Sequence, residues 1–517
     1  MAAQIIMLLV FFGVMTGVGI YCRRHTSNVD AFVLGGRKVG PWLTAFAYGT
    51  SYFSAVVFVG YAGQFGWKYG IAATWIGLGN ALIGSLMAWR ILGRRTRILS
   101  RHLKTATMPE FFGKRYESEA LKVVASLLIF VFLIPYTASL YNGLSRLFEM
   151  AFHMDYTICI LIMAVLTGIY VIVGGYMATA INDFIQGLIM LGGIVAVVAA
   201  VLRSHGGFAQ ALDQLARMED AAVSTQPGVF ASFFGPDPWN LLGVVVLTSL
   251  GTWGLPQMVQ KFYAIKDEKA IGKGTVISSL FALVVSGGCY FLGGFGRLYQ
   301  GSVDVAAEGY DAIIPYMISR LSPVLIGVVI VLVLAASMST LSSLVLTSSS
   351  TLTLDLLKGH VIKNMDEKRQ LRSMRVLILV FIAISAAIAI FQYRSSVTFI
   401  AQLMGVSWGA LAGAFLGPFV YGLYWKKTSK AAVGASFFFA TALMLVNLFA
   451  KTWLPAFLRS PLNAGAFAMI AGLILVPVVS LLTPGSRPKT VEEQFACYQA
   501  NAVVPQVVAM EETAEKE

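Results

Sequence analysis

Apolar runs of roughly 20 residues recur along this chain, each long enough to cross about 30 Å of hydrocarbon. Backbone polar groups find no water there, so each run must satisfy its own hydrogen bonds by forming a helix. The 517 residues are 57% hydrophobic and 12% charged, about half the charged share of an ordinary soluble domain. The expected fold class is an all-α polytopic membrane protein lying in a lipid bilayer. About thirteen transmembrane helices are expected, near residues 3–22, 41–65, 70–92, 121–150, 157–174, 179–202, 239–258, 271–298, 323–357, 374–392, 397–425, 430–451 and 463–483.

The formal net charge is +13, but the cations sit in short loops, so no nucleic-acid partner is expected. Arg23, Arg24, Arg37 and Lys38 follow the first run, and Arg94, Arg95, Arg97, Arg101 and Lys104 the third. Lys266, Lys269 and Lys273 follow the seventh, Lys358, Lys363, Lys368, Arg369 and Arg372 the ninth, and Lys426, Lys427 and Lys430 the eleventh. All fall on one face, which the positive-inside rule makes cytoplasmic. The N-terminus is then outside and the polar C-terminal tail inside, and the short loops point to a bacterial inner (plasma) membrane. Arg23-Arg24 follow the first apolar run, the reverse of a cleavable signal, so that run reads as a retained span. Cys22, Cys159, Cys289 and Cys497 show no metal-ligand spacing.

Two spans carry helix-breaking chemistry at their centres. The second has Gly49, Thr50, Ser51 and Ser54, and the seventh has Gly251, Gly254 and Pro256. Glycine favours unwinding, and proline removes a backbone donor and clashes with the preceding turn. Non-helical backbone at membrane depth persists only against protein or a wet cavity. The breaks lie five spans apart, so the two segments enter the membrane from opposite sides. That is the pattern of an inverted five-plus-five repeat, with solute and ion held between discontinuous helices. Simple kinks without function are the plainer reading of either break alone.

The ninth span is crowded with hydroxyls: Ser337, Ser339, Thr340, Ser342 and Ser343. Ser339, Ser342 and Ser343 share a helix face. Oxygens suit a hard cation such as Na+, while small hydroxyl residues also let helices pack closely. Asp183, about a turn inside the sixth span, stands almost alone among acids within spans. An Asp at mid-helix costs about 2.5–3.5 kcal/mol on insertion scales, which makes it a functional candidate. Near a helix end it can instead act as a cap, with Thr179 and Asn182 beside it. Asp355 reads as an interfacial partner of Lys358.

Four segments in order resemble the sodium:solute symporter family: LGGRKVGPWLTAFAYGTS (34–51), YVIVGGYMATAINDFIQG (170–187), GLPQMVQKFYAIKDEKAI (254–271) and LAASMSTLSS (334–343). The resemblance spans about residues 5–485 and lies nearest the proline and pantothenate branches. It implies a LeuT-type fold. Residues 1–39 would form a leading helix and loop, 40–203 and 204–428 the two repeats, 429–484 two trailing helices, and 485–517 a solvated cytoplasmic tail. By the same resemblance, a general Na+ site would use the carbonyls of Thr50, Phe53 and Ala336 and the hydroxyls of Ser339 and Thr340. A possible second Na+ site would use Asp183, Ser339, Ser342 and Ser343.

The family implies sodium-coupled import of a small organic solute by alternating access, here an amino acid or small carboxylate of proline or pantothenate type. Ser54, Tyr136, Thr252, Trp253 and Gln402 are the expected solute-lining residues. The proline branch carries Asp where this chain has Tyr52 and Trp where it has Thr248. The sugar branch has a gating Tyr at Thr252, and the sialic-acid branch an Arg near Tyr136. A proton-coupled or sodium-independent carrier is the alternative, with Asp183 as the protonated group. A sensor would append a signalling module, for which a tail of about 34 residues leaves no room. An enzyme would need a catalytic motif, and neither HExxH nor a partnered Gly-x-Ser-x-Gly occurs. Oligomeric state is not legible. Coupling number matters, since one Na+ gains about 2.3 kcal/mol from 100 mV and about 1.4 from a tenfold gradient. That supports roughly 500-fold accumulation of an uncharged solute, and a second ion squares it.

Overall fold

A computed structural model describes residues 2–22, 28–152, 155–362, 364–395 and 400–499. Arg23, Arg24, Lys363 and tail residues 500–517, used in the sequence reading, lie outside the described residues. The described chain is helical almost throughout, and its strand-like pairing is limited to isolated bridges.

Ten helices among the described residues are long and apolar enough to cross a membrane, or eleven if the bent pair Pro238–Gly254 and Pro256–Ala264 counts as one span. The expected thirteen is not reached on that measure. Pro41–Tyr52, only 12 residues long, is separated by a break from the helical turn Val56–Tyr61, and Tyr156–Ile169 is a short apolar helix. The helix Tyr156–Ser204 also turns sharply at Gly175, with φ 57° and ψ −155°. A left-handed φ there favours glycine, and a Cβ would meet the Phe32 ring at 2.8 Å.

Both expected breaks are present, the first four residues beyond Gly49 and the second between Gly254 and Pro256. In the first broken helix, Pro41–Tyr52 ends at Phe53, which is extended at φ −100° and ψ 129°. Gly49 stays helical, and its missing side chain seats Phe281, which would lie 2.4 Å from an added Cβ. In the second, Leu255 is extended at φ −82° and ψ 126° before Pro256, as expected for a residue preceding proline. The two helix directions bend by 46° there.

The start of the first broken helix lies beside the end of the second. Val39 donates its N–H to the Ala264 carbonyl at 3.3 Å and accepts from Lys266 N–H at 3.1 Å. The segments therefore traverse the protein in opposite senses. Between them runs the Ser-rich helix Pro323–Thr351, buried continuously from Leu332 to Thr351. It packs on Pro41–Tyr52, Glu119–Phe152 and Tyr156–Ser204.

One expectation is corrected at the C-terminal end. The first part of the tail docks on the protein instead of standing in solvent. Glu117 accepts N–H groups of Lys489 and Thr490 at 3.0 and 2.8 Å, and Arg95 lies 4.6 Å from the Tyr498 ring centroid. Phe495 and Cys497 are buried. The residues that hold it come from two cytoplasm-assigned loops, after the third and the eleventh spans, and were invisible as a group in the linear sequence.

Helix approach is closest where 56–69 meets Glu268–Gly294. A Cβ on Gly66 would lie 1.8 Å from the Gly293 carbonyl oxygen. Backbone cannot yield as a side chain can, so overpacking here should cost at least about 1–3 kcal/mol. Gly66→Ala is expected to lower the melting temperature of the detergent-purified protein, whereas Gly272→Ala, which meets nothing within 4 Å, should leave it nearly unchanged.

Candidate ion and solute sites

Where the first broken helix meets the Ser-rich helix, five oxygens converge. The Thr340 hydroxyl lies 3.2 Å from the Thr50 carbonyl, 3.2 Å from the Phe53 carbonyl and 3.1 Å from the Ala336 carbonyl. The Ser339 hydroxyl lies 3.2 Å from the Thr50 carbonyl and 3.0 Å from Ala336 O. Thr50 offers only its carbonyl, because its hydroxyl donates to Phe46 O at 2.8 Å. Two hydroxyl protons serve five close oxygen contacts, so at least three contacts have no proton between them. The break is the cause: among the described residues, neither Thr50 O nor Phe53 O accepts a backbone N–H. Surplus buried acceptors suit a hard cation, and the absence of any carboxylate in the cluster suits a monovalent one. All five residues expected here are brought together.

The second expected set is arranged differently. Asp183 is fully buried, well inside the helix that follows Gly175, so it is not a helix cap. Neither carboxylate oxygen has a hydrogen-bond partner, and its Oδ2 faces the Lys261 ammonium at 3.9 Å. Lys261 lies on Pro256–Ala264, is 2% exposed and donates to the Ser343 hydroxyl at 3.0 Å. Ser343 in turn lies 2.8 Å from the Ser51 hydroxyl. Ser342 donates back to Ser339 O at 2.9 Å. Lys261 escaped the sequence reading, although a lone lysine between Val259 and Phe262 just past a break was a signal that it is not a surface charge.

Asp355 is also buried, and it accepts from the Thr107 hydroxyl at 2.7 Å. The expected Lys358 pair gives way to this contact because the residue points into the protein.

Of the solute-lining candidates, the buried Ser54 and Tyr136 hydroxyls lie beside each other, and the Trp408 indole N–H, missed in the sequence, faces the same Tyr136 hydroxyl. None of the three makes a well-aligned hydrogen bond to another part of the protein. The Trp408 ring stands 6.0 Å from the Tyr136 ring, edge to face, and stacks 6.0 Å from Tyr52. Buried donors on one aromatic cluster that are only loosely engaged with one another are what a polar ligand could satisfy better. Thr252 and Trp253 are spent elsewhere: the Thr252 hydroxyl donates to Gly84 O at 2.9 Å and the Trp253 indole to Ile83 O at 3.0 Å. Gln402 lies half-buried in the first turn of Ile400–Tyr424. Tyr52 and Thr248, the two departures from the proline pattern, meet: the Tyr52 hydroxyl donates to the Thr248 carbonyl at 2.7 Å.

The model of the sodium:solute symporter family matches residues 32–437. The osmoregulated proline transporter OpuE of Bacillus subtilis is 28% identical over 482 residues, covering 92% of this chain and 94% of that one. A sodium/proline symporter of Staphylococcus aureus is 28% identical over 500 residues, covering 94% of each. A solved structure of a Na+-coupled sialic acid symporter, substrate-bound and outward-open, aligns with TM-score 0.74 at 17% identity over 93% of this chain and 97% of that one. That likeness establishes the LeuT-type fold.

Replacing one of five oxygens should weaken a bound cation by about tenfold, or about 1.4 kcal/mol. Ser339→Ala and Thr340→Ala are each expected to raise the Na+ concentration for half-maximal uptake by about that factor or more. Thr340→Ser, which keeps the oxygen, should stay near the parent value in the same Na+ titration.

Proposed function

This chain belongs to the sodium:solute symporter family, and on that premise we propose that its coupling Na+ binds the Thr50, Phe53, Ala336, Ser339 and Thr340 oxygens while a carboxylate-bearing solute binds beside Trp408. As a family member the protein is a sodium-coupled, multi-pass membrane symporter of a small solute, not an enzyme. The observation that carries the solute reading is the buried cluster of the Ser54 and Tyr136 hydroxyls and the Trp408 indole N–H, which lean on one another and make no well-aligned bond to the rest of the protein. All three can donate a hydrogen bond, and an indole N–H can only donate. Three donors suit an acceptor-rich group such as a carboxylate, and the Tyr52 and Trp408 faces suit a compact apolar body. An amino acid of proline size or a short monocarboxylate fits both halves. The proline carriers among the relatives favour the first.

Coupling follows from where the sites lie. Ser54 directly follows Phe53, whose carbonyl is an expected Na+ ligand, so an ion that orders the break also sets the Ser54 hydroxyl. Two five-helix repeats at 40–203 and 204–428 would rock about these breaks, a division supported by the opposed broken helices. A cytoplasmic tail and an outside N-terminus are supported by the meeting of basic loops at one face. There Arg94 pairs with Glu268 at 2.7 Å, and Arg97 donates to Ile265 O at 2.5 Å. The plasma membrane is the location that fits. Any partner beyond solute and lipid, including a second copy of the chain, remains outside this reading.

Uptake into proteoliposomes of labelled proline, pantothenate, short monocarboxylates and sialic acid, with Na+ or with choline, tests this reading. Uptake of an amino acid or monocarboxylate that collapses in choline is expected. Equal uptake in both media would sink the sodium site and favour a proton-coupled or sodium-independent carrier. Trp408→Phe keeps the ring and loses the donor. A hydrogen bond to a charged group contributes about 1.5–3 kcal/mol, so KM for the solute should rise roughly 10- to 100-fold with the Na+ titration little changed.

A further inference from the structure

We propose that the Lys261 ammonium stands permanently in the place of a second coupling ion, so that this symporter works with a single Na+ per cycle. The inference rests on the reading of the Thr50–Thr340 oxygen cluster as the one sodium site.

The two side chains a second ion would need most, Asp183 and Ser343, already face a cation, and the remaining hydroxyls offer only lone pairs. Ser339 belongs to the oxygen cluster at the break. The Ser342 proton goes to the Ser339 carbonyl. Ser343 receives the Lys261 donor at 3.0 Å, and Asp183 faces the same ammonium at 3.9 Å. The charges match one to one. A carboxylate buried without a cation is heavily penalised, and here the cation is covalently tethered. A Na+ added at this place would meet an ammonium within a few ångströms in a medium that screens poorly.

The lysine is also placed as an ion would be, between moving parts. It extends from the second half of the second broken helix, while Asp183 is on Tyr156–Ser204 and Ser343 on the Ser-rich helix. Through Ser343 it reaches Ser51 of the first broken helix, whose neighbour Thr50 supplies a carbonyl to the sodium cluster. The ammonium lies 5.1 Å from the Tyr176 ring centroid, a contact that favours a cation over a neutral group. A second Na+ would knit these four elements and then leave with its gradient energy. Lys261 holds them together without leaving, so the second ion's contribution is absent from transport.

Radiosodium binding to the purified full-length protein, together with sodium-to-solute flux ratios in proteoliposomes, tests the proposal. The parent protein is expected to bind about one Na+ and to show a Hill coefficient near 1 for Na+. Lys261→Ser exposes Asp183 and Ser343, and is expected to bind about two Na+ with the Hill coefficient moving towards 2. Lys261→Arg keeps the charge and should remain at one. Should Lys261→Ser fail to fold, the parent count still decides: two Na+ bound to the parent would overturn the proposal while leaving the first sodium site intact. One Na+ in both the parent and a folded Lys261→Ser would show that the lysine excludes nothing, and would overturn it too. A parent that binds no Na+ would remove the sodium site itself, and this inference with it.

Discussion

Cutting a helix inside the membrane is the constraint on which the rest depends. A continuous helix hides every carbonyl in its own ladder, whereas a break leaves carbonyls with no donor in a medium that supplies none. Here the orphans are Thr50 O and Phe53 O, and the structure brings the Ser339 and Thr340 hydroxyls to them. Two protons cannot satisfy all the acceptors gathered there. The same defect that would destabilise an ordinary helix thus gathers surplus oxygen acceptors without any charged side chain, the arrangement proposed above as a cation site.

The cation site and the solute cluster share one short stretch of chain. Phe53 carries a carbonyl of the first, Ser54 a hydroxyl of the second, and Tyr52 an aromatic wall stacked on Trp408. On the proposed reading, ion binding and solute binding are coupled through three consecutive residues whose backbone leaves helical geometry at Phe53, and no long pathway between sites is needed.

Electrostatic economy explains the buried charges. Beside the candidate sites the buried charges are Lys261 and Asp183, which face each other deep in the fold. Around the cytoplasm-assigned loops, by contrast, arginines are spent on carbonyl oxygens: Arg115 on Gly422 O, Arg97 on Ile265 O and Arg95 on Leu423 O. These ties cross between distant parts of the chain and close one face of the protein, to which residues 487–499 of the tail are also fastened.

What the sequence alone determined is the part governed by solvent and local backbone chemistry. Apolar length specified helices, Pro256 specified one break, and the hydroxyl ladder from Ser337 to Ser343 marked the helix that would face the other. The motif resemblance pointed to five candidate sodium-site oxygens, and packing gathers those oxygens in one place. Tertiary structure alone decided which polar atoms remain unspent. Thr252 and Trp253 read as solute ligands by position, yet the carbonyls of Gly84 and Ile83 happen to lie within reach and take their protons. Trp408 looked like one more apolar residue until its N–H came to face the Tyr136 hydroxyl and no other part of the protein. Lys261, in a segment counted as the exit from a span, turned inward to Asp183 about 80 residues earlier in the chain. Periodicity tells which residues share a helix face, but the distance between two helices is set by the packing of all the others, and that distance decides whether a hydroxyl, an indole or an ammonium is free to bind anything.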